Sequence, residues 1–383
     1  MLKVGVIGYG GRVGDLINNV LLELKMDVEI VAFTDINETD ARSRMTHPLM
    51  TQEKIRYYPT AEEMLEKEHL DGCMIGTRCS SHTRYALEVL RRNIPLFLEK
   101  PVSTTMDDLR KLSACAKNTK AQTVVSFPLR LSKIVERVKT IIDAGEIGNI
   151  EQVQAYNNVP YGGCYYHSWY RDDKETGGLF LQKATHDFDY INYILQKKPV
   201  EICAMESKQI YKGDKPADLH CEDCPEEKTC PESDWYMSTF KADHSHGDLC
   251  CFSTATGNHD SASVLVRYDT GMHVCYSQNF FARKHAQLRG ARFLGYKGTL
   301  EFDWYTGEIM IYKHDEPMDI CYKVDLTASS HFGGDKYLML NFIGIMQGTE
   351  ESKSPLLDGI NSALLCMKAI QSAEEKRFVE INL

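Results

Sequence analysis

Residues 94–101, Ile-Pro-Leu-Phe-Leu-Glu-Lys-Pro, place a lysine at the end of an apolar run that has the length of a β-strand. A strand that ends in a charged pair and a proline points the lysine out of the carboxyl edge of its sheet. Open α/β sheets bind their ligands at that edge. The pattern therefore predicts that Lys100, with Glu99 beside it, faces a ligand.

Residues 177–189 carry a second set of polar side chains within a stretch of helical spacing. Gln182 and His186 lie four residues apart and share a face that differs from the apolar one. This arrangement aims two polar groups at one ligand. Histidine has an unperturbed pKa close to neutrality, which favours general acid–base catalysis. We therefore expect His186 to take part in proton transfer.

A glycine-rich turn follows the first β-branched run, residues 3–7, and precedes apolar residues at helical spacing. Strand, glycine turn and helix in this order are the context of a dinucleotide-binding fingerprint. Glycines let the backbone approach a pyrophosphate, and the helix N-terminus offers amide donors. The strict fingerprint has glycine or alanine where this chain has Val13, which weakens the motif. The predicted cofactor-binding residues of the turn are Gly8, Tyr9, Gly10, Gly11, Arg12 and Val13.

The second predicted strand, residues 28–34, ends in Asp35. A carboxylate at this place accepts hydrogen bonds from both ribose hydroxyls of NAD, and it repels the 2′-phosphate of NADP. Arg12 is the opposing signal, because an arginine in the loop can pair with that phosphate. The balance favours NAD over NADP.

Strands and helices alternate through the first third of the chain. The pattern predicts a helix that begins at residue 60, another at 85–92, and strands at 72–76, 96–98 and 124–127. Such alternation is typical of parallel βαβ units. The loop after the strand at 72–76 should face the cofactor, and its candidate residues are Thr77, Arg78 and His82.

The pattern changes after residue 125. A helix is predicted at 132–144, and the strands that follow have few helices between them: 150–155, 200–205, 262–268, 273–278 and 308–312. Such a series favours a large, mainly antiparallel, open-faced sheet. We therefore predict an α/β protein with an NAD-binding Rossmann domain at 1–125 and an α+β substrate domain at 126–383. The second domain would carry a cysteine-rich insertion at about 207–260 and a final helix at 355–373.

Composition narrows the class of protein. The 383 residues suffice for two cores, and a net charge of −10 without basic patches argues against a nucleic-acid partner. The longest apolar runs are shorter than a membrane span. The residues before the first strand leave no room for a secretory signal. We expect a cytoplasmic protein, without a membrane partner, that acts on a small molecule.

Three of the thirteen cysteines form a C-x2-C-x5-C motif in a polar segment. Three thiolates at this spacing suit a tetrahedral structural zinc site, which needs a fourth ligand. A metal would supply folding energy that the few apolar residues of the segment do not. Free thiols in a solvated loop are the alternative. The candidate ligands are Cys221, Cys224, Cys230 and Cys250, with Cys251, His220, His244 and His246 as rivals for the fourth position.

The order of these motifs resembles the glucose-fructose oxidoreductase, inositol dehydrogenase and rhizopine-catabolism (Gfo/Idh/MocA) family. The resemblance rests on the glycine turn, Asp35, the Glu99-Lys100-Pro101 run and residues 177–189. In that family the lysine contacts nicotinamide and substrate together, which implies this role for Lys100 and a candidate cis bond before Pro101. The resemblance also implies a homodimer or homotetramer that assembles through the large sheet. The cysteine-rich insertion resembles that of one subgroup.

The second motif departs from the family at one position. Family members carry an aspartate and a histidine four residues apart, which bind and deprotonate a carbinol. His186 matches the histidine, but Gln182 stands where the aspartate is expected. An amide cannot exchange a proton, so His186, Lys100 or Lys183 must do so. Our first choice is His186 as the base, with Lys100 orienting and polarising the hydroxyl.

Four further side chains are candidates for substrate contact. Arg130 follows the last strand of the first domain and can approach nicotinamide or substrate. Tyr161 and Tyr165 belong to an aromatic loop, and aromatic planes suit the apolar faces of sugar rings. His331 belongs to a His-Phe-Gly-Gly-Asp run that resembles a late element in part of the family, where it would close the site.

Together these features predict an NAD-dependent oxidoreductase that takes hydride from a secondary hydroxyl of a sugar, an inositol or a related carbohydrate. One alternative is a redox-neutral enzyme that returns the hydride after a glycosidic bond has been cleaved; Gln182 with Lys183 beside it motivates that reading. The other alternative is an NAD-linked sensor without turnover.

Overall fold

Six short apolar strands form the first sheet of the computed structural model, which describes residues 1–241, 247–325 and 330–383. The strands are β1 Leu2–Ile7, β2 Val28–Thr34, β3 Arg56–Tyr57, β4 Gly72–Ile75, β5 Leu96–Leu98 and β6 Thr123–Val125. All neighbours are parallel, in the order β3-β2-β1-β4-β5-β6. This is the strand order of the Rossmann fold. The predicted Rossmann domain is confirmed.

Helices connect these strands and continue through the chain. The α-helices are α1 Gly11–Leu16, α2 Glu38–Ser43, α3 Ala61–Lys67, α4 His82–Arg91, α5 Met106–Ala116, α6 Lys133–Asp143, α7 Cys164–His167, α8 Asp173–Thr176, α9 Thr185–Leu195, α10 Asp234–Tyr236, α11 Gly334–Met346 and α12 Leu356–Glu375. Thr60, Thr105 and Ser132 cap α3, α5 and α6 by accepting a hydrogen bond from a backbone amide of the first turn. The caps at Thr60 and Ser132 explain why α3 and α6 begin where the sequence predicts, whereas α5 was not predicted.

Several turns are tighter or wider than an α-helix. The 3₁₀ turns are Leu22–Leu24, Gln52–Lys54, Cys79–Ser81, Pro128–Leu131, Trp169–Arg171, Lys284–Ala286 and Ser330–Gly333, and the π-helical turns are Ile17–Leu21, Phe180–Ala184 and Met237–Lys241. His331 and Phe332 lie in the left-handed region, with φ of 49° and 56°. Side chains other than glycine adopt this region uncommonly. The backbone before α11 is therefore held in a specific, strained path.

Nine strands form the second sheet. They are β7 Ile150–Asn158, β8 Pro199–Ser207, β9 Ser261–Tyr268, β10 His273–Asn279, β11 Leu288–Gly295, β12 Gly298–Asp303, β13 Glu308–Lys313, β14 Asp319–Lys323 and β15 Val379–Glu380. Their order is β14-β13-β12-β11-β7-β10-β9-β8-β15, and β7 with β10 is the parallel pair among antiparallel neighbours. Buried and exposed residues alternate along β9 and β10. The predicted open-faced, mainly antiparallel sheet is confirmed.

Helix α11, which lies late in the chain, packs on the first sheet. Phe342 belongs to the same buried cluster as Val4 and Val6, and its ring lies 5.8 Å from that of Phe97 in an edge-on contact. Gly72 allows this approach, because a Cβ there would lie 2.9 Å from Phe342 Cζ. The C-terminal part of the chain therefore completes the layer that covers the dinucleotide-binding sheet.

Helix α12, which has 20 residues, also lies late in the chain, and it contacts both sheets. At Gly359 a Cβ would lie 2.7 Å from Val102, beside the first sheet. At its other end, Ser372 Oγ accepts a hydrogen bond from Ala204 N on β8. Within the described ranges, no helix combines the length and apolar content that a membrane crossing requires.

Candidate active site

A cleft of about 910 Å³ runs along the carboxyl edge of the first sheet and is closed on its far side by the second domain. The prediction of ligand binding at this edge rests on the strand ends, and the structure brings most of the predicted residues together there. The predicted site residues that line the cleft are Gly8, Gly10, Gly11, Arg12, Asp35, Thr77, Arg78, His82, Glu99, Lys100, Tyr161, Tyr165, Gln182, Lys183, His186 and His331.

The glycine turn leaves space for a pyrophosphate. Gly8 has a φ of 76°, and a Cβ at Gly10 would lie 2.6 Å from the carbonyl oxygen of Gly76. Val13, the departure from the fingerprint, fits because a glycine faces it: a Cβ at Gly76 would lie 2.2 Å from Val13 Cγ2. Tyr9 and Val13 are fully buried behind the turn. These two predicted residues therefore pack behind the glycine turn and stabilise its conformation.

Backbone amides hold Asp35 at the end of β2. Its Oδ2 accepts a hydrogen bond from Tyr9 N at 2.8 Å, and its Oδ1 accepts one from Asn37 N at 3.0 Å. Each carboxylate oxygen has further lone pairs with which it can accept a hydrogen bond from a ribose hydroxyl. The position and chemistry of Asp35 fit the ribose of NAD.

Arg12 is engaged by two carboxylates. Its Nη1 and Nη2 donate to Asp335 at 3.0 Å and 2.5 Å, and its Nε lies 3.5 Å from Glu99 Oε1. Burial would raise the pKa of Asp335, but hydrogen bonds from His331 and Arg12 hold it well below its usual range. The charge of Arg12 is therefore matched inside the protein, which favours a cofactor without a 2′-phosphate.

Lys100 lies at the centre of the cleft. Its Nζ donates to the backbone oxygen of Gln182 at 3.0 Å and approaches Gln182 Oε1 at 3.5 Å. The bond to Pro101 is cis, as predicted. Burial lowers the pKa of Lys100 to about 8, although the nearby Cys79 and Glu99 act in the opposite direction. A lysine that titrates near neutrality is suited to act at a reacting hydroxyl.

A π-helical turn, Phe180–Ala184, carries the polar residues of the second motif into the cleft. Such turns recur at functional sites because they displace side chains from ordinary helical positions. Gln182 is 1% exposed, and its Nε2 donates to the carbonyl oxygen of Thr176 at 3.0 Å. That bond fixes the amide so that its oxygen faces Lys100. Gln182 therefore orients Lys100 in place of an acid.

His186 is the second residue of α9, the helix that follows this turn. It is 8% exposed, and its Nδ1 has no hydrogen-bond partner in the part of the chain that the structure describes. Burial lowers the pKa of His186 well below its usual value, and the charges of Lys100 and Arg289 lower it further. His186 is a neutral imidazole whose unpaired nitrogen fits a ligand hydroxyl.

Lys183 meets the aromatic loop that follows β7. Its Nζ donates to the hydroxyl of Tyr161 at 2.5 Å and lies 4.4 Å from the centre of that ring. The ring of Tyr165 is 5.5 Å away. His331 lines the same part of the cleft, with its ring 6.4 Å from that of His186. The predicted substrate residues are thus brought together.

Two predicted residues have mainly internal partners. Arg130 is 2% exposed and pairs with Asp189 and with Asp358, the latter at 2.7 Å, so it packs the interior and is not among the cleft-lining residues. These ion pairs give Arg130 a structural role, and its approach to nicotinamide or substrate stays a prediction. His82 lines the cleft, but its ring nitrogens lie 2.8 Å and 3.1 Å from the carbonyl oxygens of Pro101 and Thr77. His82 therefore links the loop that contains Thr77 to the loop that contains Pro101.

Among the residues that the structure describes, the cysteine motif is not arranged as a metal site. Within the described ranges, no three His, Cys, Asp or Glu side chains are arranged to hold a metal ion, so the predicted zinc is not supported. The thiols instead border a small cavity of about 20 Å³, and burial raises the pKa of Cys221 to about 11. His244 and His246, rivals for the fourth ligand, lie outside the described residues. The cavity is lined by Cys221, Cys224, Cys230, Cys250 and Cys251 together with His167 and Glu232.

Two interactions near the cleft escaped the sequence interpretation. Arg289, on β11, donates to Asp187 Oδ1 from Nε at 2.9 Å and from Nη2 at 2.8 Å. The guanidinium carbon of Arg78 lies 3.6 Å from the ring centre of Trp169, across the cleft. The strand that carries Arg289 was not predicted, and the contact between Arg78 and Trp169 joins distant segments. The sequence therefore offered no local signal for them.

Two family models match the chain. The model of the oxidoreductase family with an NAD-binding Rossmann fold matches residues 2–127, and that of the GFO/IDH/MocA C-terminal domain matches residues 135–301. The rhizopine catabolism protein MocA of Rhizobium meliloti is 25% identical over 213 residues, which are 55% of this chain and 62% of that protein. Myo-inositol 2-dehydrogenase of Thermotoga maritima is 23% identical over 205 residues, 53% and 58% of the two chains. The chain thus aligns with about three fifths of each relative.

A solved structure shares the fold over the full length of both chains. Levoglucosan dehydrogenase in complex with NADH and levoglucosan superposes with a TM-score of 0.77 at 15% identity, covering 100% of each chain. This likeness agrees with the two-sheet architecture.

Proposed function

The chain belongs to the Gfo/Idh/MocA family of NAD-binding oxidoreductases, and we propose that it is a dehydrogenase that oxidises a secondary hydroxyl of a sugar, an inositol or a related carbohydrate. The observation that carries this proposal is that Lys100 and His186 line the same cleft as the glycine turn and Asp35. The names of its relatives, which include a myo-inositol dehydrogenase and a levoglucosan dehydrogenase, support the substrate class.

NAD is the proposed cofactor, and when bound it would accept hydride from the substrate. The open backbone at Gly8 and Gly10 would hold the pyrophosphate, and Asp35 would bind the ribose hydroxyls. Arg12 is already paired with Asp335. This pairing supports NAD over NADP.

The proposed place of the reacting hydroxyl is between Lys100 and His186. Lys100 would donate a hydrogen bond to the hydroxyl oxygen and stabilise the negative charge that develops on it. The bonds to Gln182 hold the ammonium in position for this. The unpaired Nδ1 of His186 would orient the hydroxyl.

A direct test is NADH formation by the purified protein with myo-inositol, levoglucosan and a panel of aldoses. We expect absorbance of NADH to rise with at least one of them and to require Lys100. If the wild-type protein binds NAD tightly and turns over no member of the panel, the dehydrogenase proposal is wrong and an NAD-linked sensor takes its place.

A redox-neutral glycoside-cleaving enzyme is the second candidate. Such a reaction needs a proton-transfer group besides the one at the carbinol, and the pair of Lys183 and Tyr161 offers one at a separate position from His186. Incubation with NAD and aryl glycosides distinguishes the two functions. Release of free sugar without accumulation of NADH would favour the second.

The proposed assembly is a homodimer or homotetramer that buries the open face of the second sheet. Met205 and Leu265 share that face through the β8–β9 register and are 74% and 44% exposed. Exposed apolar patches often mark interfaces. Light scattering should give a dimer or tetramer for the wild type and a smaller species for Leu265→Arg; a monomeric wild type would exclude this assembly.

A further inference from the structure

Lys183 is a buried cation that has no carboxylate partner among the residues the structure describes. The residue is 7% exposed, and its Nζ donates to the hydroxyl of Tyr161 at 2.5 Å. The rings of Tyr161 and Tyr165 lie around the ammonium, with centres 4.4 Å and 5.5 Å from Nζ. A buried charge is costly unless an opposite charge or good hydrogen bonds compensate it. An anion on the Tyr161 oxygen would supply that compensation.

The geometry of this hydrogen bond favours loss of the tyrosine proton. An ammonium can only donate, so the Tyr161 oxygen accepts from Lys183. Tyr161 follows β7 in the aromatic loop and lines the cleft on the side of Lys100 and His186. The hydroxyl proton is therefore available to a ligand in the cleft rather than to the protein.

The surroundings of Tyr161 carry more positive than negative charge. Tyr161 is 40% exposed, but its hydroxyl lies against the cleft wall, and desolvation there would raise its pKa; the charges of Lys183 and Arg289 outweigh that effect, so its pKa lies below the ordinary value of about 10. Arg289 is itself paired with Asp187, which leaves Lys183 as the closest cation. The titratable groups that act on Tyr161 or respond to its charge are Lys183, Arg289, Cys164, Tyr165 and Tyr305.

The same cations have the opposite effect on His186. To accept a proton, His186 would have to become an imidazolium beside Lys100, Arg289 and Lys183, and its pKa is lowered far from neutrality by burial and by those charges. A base that is neutral before it accepts a proton, such as His186, is therefore disfavoured beside these cations. A group that is anionic before it accepts a proton is favoured.

We propose that Tyr161, ionised beside Lys183, is the base that takes the proton from the substrate hydroxyl. This assignment rests on the proposed dehydrogenase function. The O–H bond of the substrate breaks, and its proton forms a new O–H bond on the Tyr161 oxygen. The electron pair of the carbinol C–H bond leaves as hydride and reduces the nicotinamide of NAD, so that the alcohol becomes a ketone. His186 is then a positioning residue, and Lys183 holds the charge of the base.

A spectroscopic titration tests the ionisation without any substrate or cofactor. The ultraviolet absorbance of tyrosinate should show one tyrosine of the wild type ionising below the range of the others. This signal should vanish in Tyr161→Phe and move to higher pH in Lys183→Met. Tyr296→Phe, at a tyrosine that is 87% exposed, is the matched control and should keep the signal. Absence of an early ionisation in the wild type, or its persistence in Tyr161→Phe, would overturn the proposal.

The pH dependence of turnover separates Tyr161 from His186. With NAD and myo-inositol or levoglucosan, Tyr161→Phe should lower kcat about 100-fold or more and remove the acid limb of the rate profile. His186→Asn should mainly raise KM and keep that limb. The reverse pattern would identify His186 as the base. If neither substrate is turned over, the proposed function fails on its own, and the tyrosinate titration still decides the ionisation of Tyr161.

Discussion

The cofactor side and the substrate side of the cleft handle charge in different ways. On the cofactor side, Arg12 is matched by Asp335 and lies close to Glu99. On the substrate side, Lys100 donates to an amide oxygen and Lys183 to the oxygen of Tyr161, and neither lysine has a carboxylate partner among the residues that the structure describes. The ion pairs of Arg12 hold the cofactor side in one conformation. We propose that the substrate side stabilises the negative charge that develops during the reaction.

The largest expected effect comes from removing a cation of the substrate side. Lys100→Met should lower kcat by about 100- to 10,000-fold, because both the polarising charge and the orienting bonds are lost. NAD affinity should change little, since Asp35 and the glycine turn are untouched. Steady-state NADH formation and fluorescence titration with NAD measure the two effects.

Lys117→Met, at an exposed position, is the matched control and should behave as the wild type. If Lys100→Met weakened NAD binding as much as it slowed turnover, the two sides of the cleft would not be separable in the way described.

A smaller effect is expected from the cofactor side. Asp35→Asn keeps the shape of the carboxylate but loses its charge and one acceptor, so NAD should bind about 10- to 100-fold more weakly. The preference for NAD over NADP should shrink, because the repulsion of a 2′-phosphate is lost. Dissociation constants for both cofactors measure this. An unchanged ratio of the two would show that Asp35 does not select the cofactor.

Much of the fold was predictable because its elements follow local rules. Strands β4 and β5 are continuous apolar runs, and the helices that Thr60 and Ser132 cap begin as expected. Strands β11, β12 and β14 were missed. Gly290 and two arginines interrupt the apolar pattern of β11. The strand forms because it pairs with β7 on one side and with β12 on the other, which a local pattern does not reveal.

Most residues of the candidate site could be predicted from the sequence, but the pairs that their charged groups form could not. Lys100, Gln182 and His186 could be named from spacing within single segments. The partner of Arg12, Asp335, lies 323 residues away, and the bond between Lys183 and Tyr161 joins a π-helical turn to a separate loop. Such pairings depend on tertiary packing, which no local pattern encodes. The choice of His186 as the base was made without knowledge of the cations that surround it.

Loss of the Lys100 proton should lower turnover by about tenfold for each pH unit above the pKa of this lysine. The pKa of Lys100 is lowered to about 8 by burial, so the ammonium is present below that pH and is lost above it. The rate should therefore fall on the alkaline side from about pH 8. A profile of kcat against pH measures this. A rate that stays constant to pH 10 would mean that the charge of Lys100 does not contribute.

The smallest expected effect comes from giving the substrate side the carboxylate that it lacks. In Gln182→Glu, an anion close to Lys100 favours the ammonium form and raises the pKa of Lys100. The alkaline limb should move to higher pH, in the direction of the charge-matched cofactor side. Because Gln182 is 1% exposed and its Nε2 donates to Thr176, the variant also loses a buried bond, which costs about 1–3 kcal/mol of stability.

Two measurements keep these consequences of Gln182→Glu apart. The position of the alkaline limb reports the charge of Lys100, and thermal unfolding reports the lost bond to Thr176. Gln347→Glu adds the same charge at an exposed position and should change neither. If the limb of Gln182→Glu stays near pH 8, where the burial of Lys100 sets it, the lack of a carboxylate beside Lys100 is not what distinguishes the substrate side. A limb that moves upward while turnover falls would show that the amide at position 182 keeps Lys100 close to its working pH.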